Sequence, residues 1–261
     1  MTGDGVNDAP ALKQSNVGIA MGVTGTEVSK EAANMVIMND DFKTIIKGIE
    51  YGRMLFRNMQ KVIAYLLPAG SFSELLPVLA NVYLGMPLPM SSFQMIVICV
   101  LTDLCGTIAL VYEKPETDLM LQKPRDPKTE RLVSWRLFLY AFLQVGVIES
   151  FAAFFVFFYS MGRRGIRPAD LVFAFDDWAS DSFVGGRYTV AEQLDILYEA
   201  QTGYFVSLVM TQLWNLMAVR TRLASVFRHP FRWGVLKYIF GEILIVLVVV
   251  YVPVFASAFN M

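Results

Sequence analysis

Apolar and polar positions follow two different rhythms along the chain. Over residues 1–41 the apolar runs are short: Val17 to Met21 lies between turn signals, and Val36-Ile37-Met38 is stopped by Asn39-Asp40-Asp41. Both suit buried strands. Thr24 or Thr26 can cap a helix through Glu27 to Asn34 between them. Two short strands and one helix are too little for a core, so this region reads as a partial α/β unit. From Phe42 the spacing turns helical, with Ile45, Ile46, Ile49, Met54, Leu55, Met59 and Val62 set among Lys43, Lys47, Arg53, Arg57 and Lys61. No proline or turn cluster separates this stretch from the apolar run that follows. One long helix is therefore expected to lead from the polar region into a membrane.

Five apolar runs follow, and they predict spans over about 62–84, 93–111, 137–160, 204–219 and 238–259. The fourth is short for a crossing of about 20 residues. Pro87 and Pro89 fall in a tight uncharged loop between the first two spans. A hydrophilic loop over Met161 to Thr202 carries four arginines against seven acids, including Asp176, Asp177 and Asp181. Lys and Arg number none, six, four and five in the four successive loops. By the positive-inside rule, residues 1–61, 112–136 and 220–237 are then cytoplasmic.

Composition agrees with a membrane protein. The chain is 55% hydrophobic and 13% aromatic, with a mean hydropathy of +0.48, against about 45–50% apolar in ordinary soluble domains. A net charge of −1 lacks the basic stripe that nucleic-acid binding needs. The two cysteines, Cys99 and Cys105, share one apolar run and form no disulfide framework. Lone His229, beside Pro230 in a basic loop, reads as solvated.

Polar chemistry concentrates at a few places. The run Thr2-Gly3-Asp4-Gly5-Val6-Asn7-Asp8-Ala9-Pro10-Ala11-Leu12 sets two carboxylates and a carboxamide in a glycine-loosened turn. Such a set suits a hard cation together with phosphate oxygens, although Asx-rich turns also arise for conformational reasons alone. Within the spans lie Glu74, near Pro68, Ser71, Ser73 and Pro77, and Asp103. A carboxylate at mid-span is costly and marks a functional candidate. Glu149 and Glu242 could be ion ligands too, but an acid near a span end more often snorkels or bonds a neighbouring helix, and that reading is favoured here.

The eleven-residue run from Thr2, followed by Lys13 and Val17-Gly18-Ile19-Ala20-Met21-Gly22, resembles the hinge segment closing the phosphorylation domain of P-type cation-transporting ATPases. Similarity continues through Asn39-Asp40-Asp41-Phe42, Gly52-Arg53 and Pro87-Leu88-Pro89. It extends into Glu113 to Arg131, where Asp118-Leu119-Met120, Lys123-Pro124-Arg125 and Pro127-Lys128-Thr129 look like the sodium/potassium and proton/potassium pump branch. The resemblance implies an α-helical transmembrane bundle of about five spans, preceded by a partial α/β haloacid-dehalogenase-like fragment. Residues 1–41 would close the phosphorylation domain, 42–61 form a stalk helix and 62–261 the C-terminal transmembrane domain.

On that resemblance Asp4 and Asp8 serve Mg²⁺, and Asn7 faces the phosphoryl group. Glu74 and Asp103 bind the transported ion with Ser71, Gln212 and Asn215. There are departures: Cys99 stands where the branch has another carboxylate, Ser71 stands near its asparagine, and Asn215 replaces an acid. The implied cofactors are Mg²⁺ and ATP, the latter bound mainly outside this chain. The implied partners are a monovalent cation (sodium, potassium or proton), the lipid bilayer, the N-terminal pump domains and an accessory subunit, with the plasma membrane as location. The family's Asp-Lys-Thr-Gly-Thr motif occurs nowhere in the 261 residues, so this chain alone is expected to be inactive, and a sixth helix is expected to be missing. Two rival readings are a non-catalytic pump fragment acting as a membrane interaction partner, and a channel or secondary transporter with a vestigial soluble segment.

Overall fold

A computed structural model describes residues 1–115, 118–126, 129–180, 183, 186–221, 225 and 233–259, with only the backbone at 69, 71, 176, 179 and 257–259. Asp181, Pro127, Lys128, Arg222, Arg228, His229, Pro230 and Arg232, and the side chains of Ser71 and Asp176, therefore lie outside the described residues. The chain divides into two compact units, residues 1–55 with 119–122, and residues 56–118 with 123–261.

The smaller unit is built on a parallel sheet in the order β1 (Thr2–Gly3), β2 (Ile19–Met21), β3 (Met35–Ile37). Thr2 pairs with Ile19, and Ile19, Ala20 and Met21 pair with Met35, Val36 and Ile37. Two helices connect the strands, α1 (Ala9–Gln14) and α2 (Glu27–Ala32). The two strands expected from the sequence are present, the first shortened by two residues and the second shifted by one, and β1 is a third that only two residues encode. Thr26 is the cap of α2, its hydroxyl accepting from the Ser29 amide. Thr24 does other work, donating its hydroxyl to Asp40 at 2.8 Å. Leu12, Ala20, Met21, Ile37 and Leu119 are its buried apolar residues. The 25-residue helix α3 (Lys43–Leu67) begins in this unit, where Arg53 Nη1 donates to the carbonyls of Leu119 and Gln122 at 2.7 and 2.9 Å.

The larger unit is helical. After α3 come a π-helical turn at Pro68–Ser73, then α4 (Leu75–Leu84) and α5 (Ser92–Val97), a second π turn at Ile98–Thr102, and α6 (Asp103–Val111). Gly85 caps α4 at φ 59°, a left-handed conformation without cost only for glycine. Ser91 and Gln94 form a reciprocal capping box that starts α5. Next are α7 (Trp135–Leu139), a third π turn at Tyr140–Gly146, α8 (Val147–Arg163), α9 (Pro168–Leu171), α10 (Val190–Arg220), α11 (Trp233–Tyr251) and α12 (Pro253–Phe259). The core gathers Met86, Met90, Ile98, Phe157, Tyr204, Phe205 and Leu208, with a second cluster around Val62, Tyr65, Leu110 and Leu216.

Among the described residues, three helical stretches are long and apolar enough to cross a membrane: Ser92–Val111, Trp135–Arg163 and Trp233–Tyr251. They coincide with the second, third and fifth expected spans, the last displaced toward the N-terminus because the helix ends before Pro253. Over the first expected span the structure places the end of α3, a π turn and the shorter apolar helix α4. The fourth lies inside α10, whose 31 residues begin at Val190 rather than Tyr204. The expected loop is shorter by that helical extension, which the Thr189–Glu192 capping box nucleates.

Asp40 carries the turn after β2. Its carboxylate accepts from the amides of Gly22 (2.7 Å), Val23 (3.0 Å) and Thr24 (2.7 Å). The Val23 amide, with those of Thr24 and Gly22 and the Thr24 hydroxyl, holds the Asp40 carboxyl down at about 2. A folded value below the ordinary 3.8 means that this turn is fully stabilised above that pH and loses the contribution as the pH falls toward 2. In the full chain, Asp40→Asn should speed amide exchange at Gly22, Val23 and Thr24 near neutral pH; unchanged exchange would show that the turn stands without the carboxylate.

Candidate functional site

Two places gather the polar residues singled out above, one in each unit. In the smaller unit the chain leaves β1 at Gly3 and turns through a single 3₁₀ turn, Val6–Asp8, into α1, with Pro10 in its first turn. Asp8 Oδ2 accepts from the amides of Asp4 and Gly5, both at 3.1 Å. The Asp4 carbonyl accepts from Thr26 N (2.8 Å) and Ser29 Oγ (3.1 Å). Asp8 is half-buried and spends one oxygen on folding its own loop, while the side chains of Asp4 and Asn7 are exposed.

Among the described residues no three His, Cys, Asp or Glu side chains converge on a metal position. Asp4 and the second oxygen of Asp8 fit the partial protein shell typical of Mg²⁺, which keeps water and takes phosphate oxygens. They would not suit an ion that needs a full protein cage.

In the larger unit the hairpin joining α4 to α5 aligns Glu74 with α5 and its π turn. Cys99 Sγ lies 3.3 Å from both Oε1 and Oε2 of Glu74, close enough for the thiol to donate to the carboxylate. Asp103, four residues further on, lies over Gly70, its Oδ2 3.7 Å from where a β carbon on that glycine would stand. Glu74 and Asp103 are therefore offset by a turn, roughly 6 Å along the helices. Cys99 opposes Glu74, and Asp103 opposes Gly70.

Asp103 is 3% exposed and its Oδ1 has no hydrogen-bond partner among the described residues. Gln212 and Asn215 of α10 are buried, and both polar atoms of each are likewise without a partner. The same helix supplies Tyr204, whose hydroxyl donates to the Ser73 carbonyl at 3.0 Å. Ser73 Oγ in turn donates to the Pro68 carbonyl at 3.0 Å. These two bonds brace the π turn beside Glu74.

Other buried polar residues either were not singled out in the sequence, as with Tyr65, or were read differently there, as with Glu149 and Glu242. Tyr65, fully buried, rests its hydroxyl against Gly106, where a β carbon would come within 2.5 Å; only glycine leaves room there. Glu149 and Glu242 are 2% and 1% exposed, with neither oxygen of either acid partnered among the described residues. The favoured reading, snorkelling or a bond to a neighbouring helix, fails for both: they reach neither solvent nor a donor.

At the other end of α6, Glu113 and Arg220, with fully buried side chains, pair at 3.3 Å. Lys61 Nζ donates to the Arg220 carbonyl at 2.6 Å, and Asn58 Nδ2 to the carbonyls of Val111 and Glu113 at 2.9 and 2.8 Å. Arg220 and Lys61 read in the sequence only as loop charge and a polar helix face. Their signal was position, each at the edge of an apolar run, with Arg220 facing Glu113 at the edge of another.

The family model "Cation transporting ATPase, C-terminus" matches residues 87–261. Sodium/potassium-transporting ATPase subunit alpha-4 of Rattus norvegicus is 40% identical over 248 residues, 92% of this chain and 24% of the relative. Its Homo sapiens counterpart is 38% identical over 261 residues, 97% of this chain and 25% of the relative. Potassium-transporting ATPase alpha chain 2 of Oryctolagus cuniculus is 38% identical over 235 residues, 88% and 21% respectively. The chain belongs to the P-type cation-transporting ATPase family, matching its C-terminal part. It spans about a quarter of the length of the curated relatives it matches.

The Glu113–Arg220 pair sets a stability test. Removing one partner of a buried ion pair strands the other charge and costs roughly 3 to 5 kcal/mol, whereas an apolar replacement of both is often nearly neutral. Glu113→Leu alone should lower the unfolding midpoint of the chain in lipid nanodiscs well below that of the Glu113→Leu, Arg220→Met double variant. A single variant as stable as the double one would mean that the pair is hydrated.

Proposed function

We propose that this chain is the C-terminal part of an ATP-driven pump that moves a monovalent cation (sodium, potassium or proton) across the plasma membrane. The observation that carries the reading is the apposition of Glu74, Cys99 and Asp103 across two helices interrupted by π turns. Oxygen-rich pockets at such breaks, where carbonyls leave the α-helical ladder, suit a partly dehydrated cation. Gln212 and Asn215 supply further unpartnered oxygens from α10, and Ser71 would supply a hydroxyl. Relatives named for sodium/potassium and potassium transport support the choice of a monovalent ion, and the name "subunit alpha" of the first supports an accessory subunit here.

In this reading residues 1–41 close a haloacid-dehalogenase-like phosphorylation domain, 42–61 form the stalk and 62–261 the membrane domain, with five spans and the N-terminus in the cytoplasm. Asp4 and Asp8 would hold Mg²⁺, which when bound neutralises phosphoryl charge and polarises the phosphorus centre. Asn7, exposed at the loop tip, would donate its amide to a phosphoryl oxygen. Asp8 keeps the loop folded through the Asp4 and Gly5 amides while offering its other oxygen. The phosphorylated aspartate and most of the ATP site would belong to other parts of the pump, since none of the 261 residues forms the Asp-Lys-Thr-Gly-Thr motif. Residues 1–261 alone would therefore not turn over ATP.

In the complete pump carrying this segment, Glu74→Gln and Asp103→Asn should each abolish cation-stimulated ATP turnover, with protein abundance nearly unchanged. Wild-type cation dependence in both variants would make the acids structural and favour a non-transporting role. Orientation has its own check. In a background lacking Cys99 and Cys105, cysteine at Asp195 should react with an impermeant thiol reagent applied outside the cell and cysteine at Thr129 should not. Equal labelling would remove the five-span arrangement.

A further inference from the structure

Glu149 has no role in the cluster just described, yet its surroundings resemble those of Glu74 and Asp103. Each of the three π turns in the larger unit leads to an acid: Pro68–Ser73 to Glu74 and Ile98–Thr102 to Asp103 directly, and Tyr140–Gly146 to Glu149 three residues on. π turns inside α-helices recur at functional sites because they displace carbonyls from the helical ladder. The Pro68–Ser73 turn packs against both the Tyr140–Gly146 turn and α8, which brings the Glu149 segment to the same helix junction.

The charges facing Glu149 are all of one kind. Asp103 of α6 and Tyr65 of α3 lie within electrostatic range of it. Glu242 of α11 reaches both of those groups. Glu74 stands at the end of the packed π turn, Tyr140 lies within the other π turn, and Tyr204 of α10 contacts Phe154 of α8 in a T-shaped pair at 5.4 Å. At its far end α8 meets α9, with exposed Asp170, and the exposed pair Arg164–Glu199 at 2.6 Å.

No lysine or arginine among the described residues turns to Glu149. The two buried basic side chains of this unit are engaged elsewhere, Arg220 with Glu113 and Lys61 with the Arg220 carbonyl. A carboxylate that is 2% exposed, with both oxygens unpartnered among the described residues, cannot remain as a bare anion in hydrocarbon surroundings. Charge balance must come from the water.

We infer that Glu149 is a second cation-exchange position of this membrane unit, taking up a monovalent cation, alkali ion or proton, independently of the one held at Glu74. The inference rests on the pump reading above and adds a ligand from α8 to it.

The chain in lipid nanodiscs provides the test without ATP turnover. The infrared absorption of protonated carboxyl groups is followed while pH is raised in choline, sodium or potassium chloride, for the wild type, Glu149→Gln and Glu74→Gln. Glu149→Gln should remove one carboxyl component and leave the Glu74 component in place. If that component titrates alike in all three salts, the occupant is the proton; if sodium or potassium moves its loss to lower pH, an alkali ion competes for the same oxygens. Superimposable titrations of wild type and Glu149→Gln in every salt overturn the inference. A silent Glu74→Gln beside a responsive Glu149→Gln would overturn instead the role given to Glu74. Should Glu149→Gln fail to assemble, Glu149→Asp decides: a shifted carboxyl component supports the inference, and an unmoved spectrum ends it.

Discussion

An anion cannot be left bare inside a helical bundle, and the larger unit is arranged around that constraint. At the inner end of α6 it is met from within the protein: Arg220 faces Glu113, and Lys61 occupies the Arg220 carbonyl. Both basic side chains are used there. The acids nearer the middle of the bundle, Asp103, Glu149 and Glu242, are left with oxygens that no described donor reaches. A protein that only needed to pack these helices would have used apolar residues, since a buried charge without a partner is among the most destabilising features a core can hold. Keeping several such acids makes sense when the compensating charge is exchangeable.

The backbone follows from the same need. A regular α-helix satisfies its own carbonyls and offers nothing to a ligand in hydrocarbon. The larger unit departs from regularity three times, and the best-braced departure is the one at Pro68. Proline deprives the helix of one donor; the Ser73 hydroxyl then donates to the Pro68 carbonyl, and the Tyr204 hydroxyl to the Ser73 carbonyl. Side chains thus replace bonds that the π turn gives up.

What the sequence made legible follows from how locally each feature is encoded. Apolar runs of about 20 residues are written in consecutive residues, and the stretches 92–111, 135–163 and 233–251 match their expected positions closely. Capping by Thr26 and the turn through Pro87 and Pro89 are equally local. The start of α10 was misplaced because its first turns are polar and solvent-facing, so hydropathy falls silent while the capping box at Thr189 and Glu192 speaks. The π turns carry no periodic signal, and the one at Pro68 is braced from far along the chain by Tyr204 on the Ser73 carbonyl. Glu149 and Glu242 were weighed as span-end acids, where proximity to water is normal, and only the packing of α8 and α11 reveals that water is out of reach. The Glu113–Arg220 pair joins residues 107 positions apart, a distance at which one sequence offers no pairing rule.

Cys99 carries the last step, because it stands opposite Glu74 across the helix pair. Had Asp103 faced Glu74, two carboxylates at contact distance could not both stay ionised. The offset puts a thiol there instead. Its hydrogen can be given to either oxygen of Glu74, both 3.3 Å away, so the helices are held together without a cation between them. A carboxylate at this position would turn the same contact into a repulsion that only bound cations could relieve. With the thiol, the Glu74 pocket can empty and refill while the helix pair remains closed. The acids without such a donor, Asp103 one turn along and Glu149 on α8, are those whose charge must always be answered from the water.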